Sequence, residues 1–122
     1  MPIPFRSDLQ PFIEEFAREH RGVRLGKMFG LPAIYVGRKL VTCLMEHGII
    51  VRLPEEIARE EIRSKRGKPY SQRGRELGNW VMYAPRNATA ARGLTPLIER
   101  AARHIAERQT EEITGIRRRT RS

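Results

Sequence analysis

Apolar residues first recur at helical spacing. Leu9, Phe12, Ile13, Phe16 and Ala17 make one stripe, with Glu14, Glu15, Arg18 and Glu19 on the other face. This predicts a helix over residues 8–20, ended by Gly22. Ser7 and Gln10 have the spacing of a capping box; Gln10 followed by Pro11 is the alternative start. The period then shortens. Val23 and Leu25 alternate with Arg24 and Gly26, which predicts a strand over residues 23–29. Ala33-Ile34-Tyr35-Val36, Leu40 to Met45 and Ile49 to Leu53 are short runs rich in β-branched residues, separated by Gly37-Arg38 and Glu46-His47-Gly48. Such runs bounded by glycine read as an antiparallel meander, and residues 27–54 are the centre of the chain.

Pro54-Glu55-Glu56 opens a second predicted helix, with Ile57, Ala58 and Ile62 as a thin apolar face. Residues 65–76, KRGKPYSQRGRE, read as a loop from their glycines, proline and scarce apolar content. Residues 78–83 predict a last strand, with Trp80 and Met82 on one face and Val81 and Tyr83 on the other. Thr95-Pro96 marks the start of a closing helix that buries Leu97, Ile98, Ala101, Ala102 and Ile105 and fades near Gln109. The fold class expected is therefore α+β, a central antiparallel sheet (a meander plus a late strand) flanked by N-terminal, middle and C-terminal helices. Residues 1–109 form one domain, and residues 110–122 a basic tail expected to be disordered or ordered by a partner.

Charge adds a direction. The chain of 122 residues carries a net charge of +10. Residues 63–75 hold Arg63, Lys65, Arg66, Lys68, Arg73 and Arg75 without an acid, and the tail holds Arg117, Arg118, Arg119 and Arg121. Those six and four cations account for the whole excess, and the rest of the chain balances fourteen basic against fourteen acidic residues. Localised cations suit a polyanion; a solvated surface and a frayed tail are the plainer account. Tyr70, inside the basic segment, is suited either to base stacking or to packing back on the sheet.

Candidate chemistry is sparse. Cys43 is the single cysteine, which excludes an internal disulfide and, set among apolar neighbours, reads as a small buried hydrophobe. The three histidines are far apart in sequence, and no HExxH, zinc-finger, nucleophile-elbow or phosphate-binding glycine motif is present. The pairs Glu14-Glu15, Glu55-Glu56 and Glu60-Glu61 fall at positions that read as solvent faces. No catalytic residue, metal ligand or cofactor is assigned. No apolar run approaches the roughly 20 residues of a membrane span, and no signal peptide is evident, so a cytoplasmic protein with no membrane partner is expected.

One pattern is more specific. Arg24-Leu25-Gly26-Lys27-Met28-Phe29-Gly30, followed by Ala33-Ile34-Tyr35-Val36-Gly37-Arg38-Lys39-Leu40, resembles the N-terminal domain of the TfoX/Sxy family of bacterial competence regulators. Trp80-Val81-Met82-Tyr83-Ala84-Pro85 before a closing helix fits the same pattern, and the likeness covers about residues 9–108. It also looks related to MmcQ/YjbR-like domains, for which DNA binding has been suggested. The resemblance implies an α+β domain that is not an enzyme. Full-length regulators of this family carry a second, helical domain where this chain has a short arginine tail, so the resemblance by itself gives no expectation of a role in competence.

Composition and resemblance together lead to a nucleic-acid-associated, regulatory protein. Arg63, Lys65, Arg66, Lys68, Arg73, Arg75 and Arg117–Arg119 would contact phosphates, with Tyr70 stacking and DNA favoured over RNA. The alternative is a protein-interaction module that docks through residues 55–64 or a sheet edge, and exposed edges are compatible with a homodimer. A third reading, an enzyme or small-molecule binder, needs a pocket near Tyr35, Trp80 and Tyr83.

Overall fold

The computed structural model describes residues 3–120, with side chains described for residues 3–110. Its elements are α1 (Gln10–Glu19), β1 (Arg24–Met28), β2 (Leu31–Val36), β3 (Lys39–Leu44), β4 (Ile49–Arg52), α2 (Glu55–Arg63), β5 (Lys68–Gln72), β6 (Arg75–Tyr83), α3 (Ala88–Ala91) and α4 (Thr95–Thr120). The strands form one antiparallel sheet in the order β1-β2-β3-β4-β6-β5. This is the α+β architecture the hydrophobic pattern implies.

Strand alternation divides the sheet into two faces. Ile34, Val36, Val41, Leu44, Ile49, Val51, Val81 and Tyr83 meet Phe12, Ile13 and Phe16 of α1, Ala58 of α2, Ala91 of α3, and Ile98, Ala101 and Ile105 of α4 in the main core. Each predicted stripe lies on this face, including the α1 stripe and Val81 with Tyr83. On the opposite face Leu31, Ala33, Cys43 and Ile50 are buried under larger strand residues, among them Tyr35, Tyr70, Trp80 and Met82. Tyr35 and Trp80 therefore lie on the face opposite Tyr83, and the three aromatics do not converge on one pocket.

The turns follow residue chemistry. Phe29-Gly30 joins β1 to β2 with φ of 51° and 85°. Positive φ at both central residues is what a two-residue hairpin needs, and glycine takes it freely while phenylalanine does not. The packing around Gly48 is tight: a Cβ built there would lie 2.1 Å from the Tyr83 carbonyl oxygen.

Four local expectations are corrected. A short 3-10 turn, Ser7–Leu9, precedes α1, and neither Ser7 nor Gln10 caps it with a side chain. Residues 65–76 are not a loop: they make the β5–β6 hairpin, closed by Arg73 and Gly74 at φ of 54° and 77°. Its exposed edge strand needs no apolar alternation, and Pro69 is tolerated where one side of the ladder is open. Thr95 is itself helical, fed directly by a 3-10 turn over Arg92–Leu94, so it is not a cap; the preceding connection contains α3, capped by Asn87 Oδ1 accepting from the Ala90 amide at 2.8 Å. Finally α4 does not fade near Gln109. Its backbone is helical to Thr120. The side chains of Arg117, Arg118 and Arg119, like residues 121–122, lie outside the described residues.

Candidate nucleic-acid interface

Antiparallel pairing decides which cations come together. β4 pairs with β6 from Ile49↔Tyr83 to Arg52↔Trp80. Residues 75–78 of β6 have no β4 partner, so the β5–β6 hairpin runs past the end of β4, carrying exposed Arg73 and Arg75. At that same end β2 finishes, the Gly37-Arg38 turn lies, and β3 starts at Lys39. Arg24 donates from Nε to the Gly37 carbonyl at 3.2 Å. The closing helix arrives there too, since Gln109 Nε2 donates to the Val36 carbonyl at 3.1 Å. One end of the sheet thus gathers Arg24, Arg38, Lys39, Arg52, Arg73, Arg75 and Arg108, and α4 runs on from it toward the arginine-rich segment.

The residues of the basic segment divide into two sets. Arg63, at the end of α2, is held by Glu60 through contacts of 2.6–3.0 Å. Arg66 donates from Nε to Glu61 Oε2 at 2.6 Å. These two guanidiniums are committed to carboxylates of α2. Lys65 (φ 63°), Lys68, Arg73 and Arg75 are exposed and make no ion pair among the described residues. Tyr70 is half-buried against the sheet face that holds Cys43 and Trp80, and burial raises its hydroxyl pKa. It packs back on the sheet instead of standing free to stack.

Sequence reasoning missed Glu61. The side chain is buried, not on a solvent face: Tyr83 Oη donates to Oε1 at 2.8 Å, while Arg66 closes the other oxygen. Burial pushes the Tyr83 hydroxyl up, and the bond to Glu61 adds to the shift. Gly67 completes the joint, because a Cβ there would lie 2.3 Å from Val81 Cγ1. This junction pins α2 to β6 and sets the base of the hairpin. Its sequence signal was the i,i+3 spacing of Ala58 and Glu61, which puts the carboxylate on the apolar side of α2.

A cavity of about 210 Å3 opens between the basic end of the sheet and α4. Lys39, Arg52, Asn79, His104, Arg108 and Gln109 line it, with Leu53 and Ile105 as its apolar part. No carboxylate is in the lining. No group of three His, Cys, Asp or Glu side chains suited to a metal occurs among the described residues. Cys43 is fully buried, and desolvation pushes its thiol up to about 12, which makes a poor nucleophile. No described helix is long and apolar enough to cross a membrane.

No protein-family model, curated protein or solved structure matches the chain.

Proposed function

We propose that the chain is a non-enzymatic, nucleic-acid-associated regulatory domain of the TfoX N-terminal type, which grips phosphates at the basic end of its sheet. The supporting observation is the gathering of Arg38, Lys39, Arg73 and Arg75 at one end of the sheet, where α4 also arrives. Cations on one side of a fold are arranged to track a polyanion, whereas cations scattered over all faces serve solubility. Lys65 and Lys68 stand at the base of the hairpin, toward the other end of the sheet, since Lys68 pairs with Met82, which lies opposite Ile50. Arg63 and Arg66 hold α2 together, and their removal loosens the hairpin base. DNA is the favoured partner, and phosphate contacts by themselves give no sequence preference.

The test is fluorescence anisotropy with duplex DNA, single-stranded DNA and RNA over a salt series. On duplex DNA the logarithm of the affinity falls with log salt by about 0.9 per neutralised phosphate. Arg73→Ala with Arg75→Ala lowers that slope by about 2 and weakens binding to all sequences alike. Affinity indifferent to salt would overturn the reading.

A second reading, protein docking, is favoured by one observation at the β1 edge. Phe29 is 81% exposed at the tip of the β1–β2 hairpin, and Leu25 of β1 is 46% exposed. On α2 Ala58 is buried and Ile57 and Ile62 pack partly against the core, so the β1 edge supports this reading better than the α2 surface. Sedimentation of wild type and Phe29→Ser tests self-association through this edge: a concentration-dependent dimer lost in the variant supports it, and a monomer throughout removes it.

A further inference from the structure

We propose that the cavity between the sheet end and α4 is a binding site for a phosphomonoester, the terminal phosphate of a nucleic-acid strand or of a free small molecule. The inference deepens the nucleic-acid reading and rests on it only for the strand-end source. Lys39 from β3 and Arg108 from α4 line one cavity together with Arg52 of β4, whose side chain alternates onto the sheet face of Trp80, and Asn79 of β6 adds a carboxamide. None of the three cations has a carboxylate partner among the described residues. Elsewhere in the chain Arg6, Arg59, Arg63, Arg66 and Arg92 each hold one. Glu107 lines an adjoining hollow with Pro54 and Ile57, which shares His104 with the cavity. Like charges brought together without an acid are eased by an anion.

Size and shape narrow the anion. A cavity of about 210 Å3 lies below the roughly 300–1,000 Å3 of sites for drug-sized ligands. An internal phosphodiester continues into sugar on both sides, whereas a terminal phosphate enters end-on. Its three free oxygens and double charge suit donors offered from several elements: the Arg108 guanidinium, the Lys39 ammonium, and the N–H groups of Asn79 and His104. Gln109 is engaged with the Val36 carbonyl and acts as a wall. Leu53 and Ile105 supply an apolar side that strengthens charge-assisted bonds.

The experiment compares the full chain's affinity for a short labelled single strand carrying a 5′-phosphate, a 3′-phosphate or hydroxyls at both ends. Thermal unfolding with inorganic phosphate and with adenosine monophosphate runs beside it. One phosphorylated end binds about tenfold or more tightly than the hydroxyl strand, the scale of one charge-assisted contact. Lys39→Ala and Arg108→Ala each abolish that preference, read as the ratio of phosphorylated-strand to hydroxyl-strand affinity within each variant, whatever they also take from general strand binding. Arg73→Ala with Arg75→Ala weakens all strands and keeps the preference. Stabilisation by adenosine monophosphate without any strand binding supports the site with a free ligand and sinks the nucleic-acid reading alone. Equal affinity for all three strands, with no thermal shift at millimolar phosphate or nucleotide, overturns the proposal. Lys39 and Arg108 are both exposed, so both variants remain folded.

Discussion

Tyr83→Phe isolates the bond that ties α2 to β6. The substitution keeps the ring and its packing and removes only the hydroxyl that donates to Glu61 Oε1 at 2.8 Å. Glu61 is 6% exposed, so water cannot readily replace the lost donor, and the carboxylate retains Arg66 on its other oxygen. A hydrogen bond to a charged group contributes about 1.5–3 kcal/mol. In a chain of this length that lowers the melting temperature by roughly 5–15 °C. Urea unfolding should show a lower midpoint with an unchanged slope. Glu61→Leu strands the hydroxyl instead. The double variant Glu61→Leu/Tyr83→Phe removes both partners and should be less unstable than the two single losses together, by about 1–3 kcal/mol. Arg66→Ala should destabilise less than Tyr83→Phe, because its guanidinium is more than half exposed. A Tyr83→Phe midpoint equal to wild type, or strict additivity in the double variant, would refute the role of this junction.

Other outcomes follow from single sites. His20 has both ring nitrogens on acceptors, Nδ1 on the Phe16 carbonyl at 2.8 Å and Nε2 on Glu99 at 3.0 Å. Partial burial disfavours the charged ring, but those two acceptors outweigh it and raise the pKa above 6.5. The contribution is therefore present in full below about pH 6.5 and is lost as pH rises through the folded value; His20→Gln should lower the urea midpoint at pH 5.5 and change it little at pH 9. Phe29→Asn should raise stability by about 1 kcal/mol, since an exposed phenylalanine at φ 51° gives way to a residue that tolerates that conformation; a loss on thermal denaturation would contradict this. Gly48→Ala should cost about 1–3 kcal/mol or more, because its Cβ has no room beside the Tyr83 carbonyl. Cys43 should resist a thiol reagent at pH 8 until denaturant is added, and rapid labelling of native protein would show that it is not buried.

The core was readable because its signals are periodic. The α1 stripe, the meander and the split of Trp80-Met82 from Val81-Tyr83 each repeat at the spacing of their element. The β5–β6 hairpin was not, because an edge strand such as Lys68–Gln72 has little to bury and its turn is Arg-Gly in place of a stronger hairpin pair. Glu61 was taken for a surface acid since its partner Tyr83 lies 22 residues away, and the one local sign, its i,i+3 spacing from Ala58, is weak beside the run of neighbouring charges. The basic cavity is less legible still. Lys39, Arg52, Asn79 and Arg108 come from four separate elements, and only the sheet order with the path of α4 brings them together. A faint trace was Arg52, a cation closing the apolar run Ile49-Ile50-Val51.

The two free edges of the sheet also govern how copies of this chain treat one another. β1 presents Arg24 and Lys27, and β5 presents Lys68 beside Pro69, which offers no N–H to a neighbouring strand. Like-signed borders oppose edge-to-edge pairing of copies, so any association through exposed Phe29 and Leu25 works against that repulsion, which at about 0.15 M salt reaches only ~8 Å. A polyanion added in small amounts should therefore do more than occupy a site: near charge balance it removes the barrier between copies and the solution turns turbid. With more polyanion each particle acquires the opposite sign and the suspension clears.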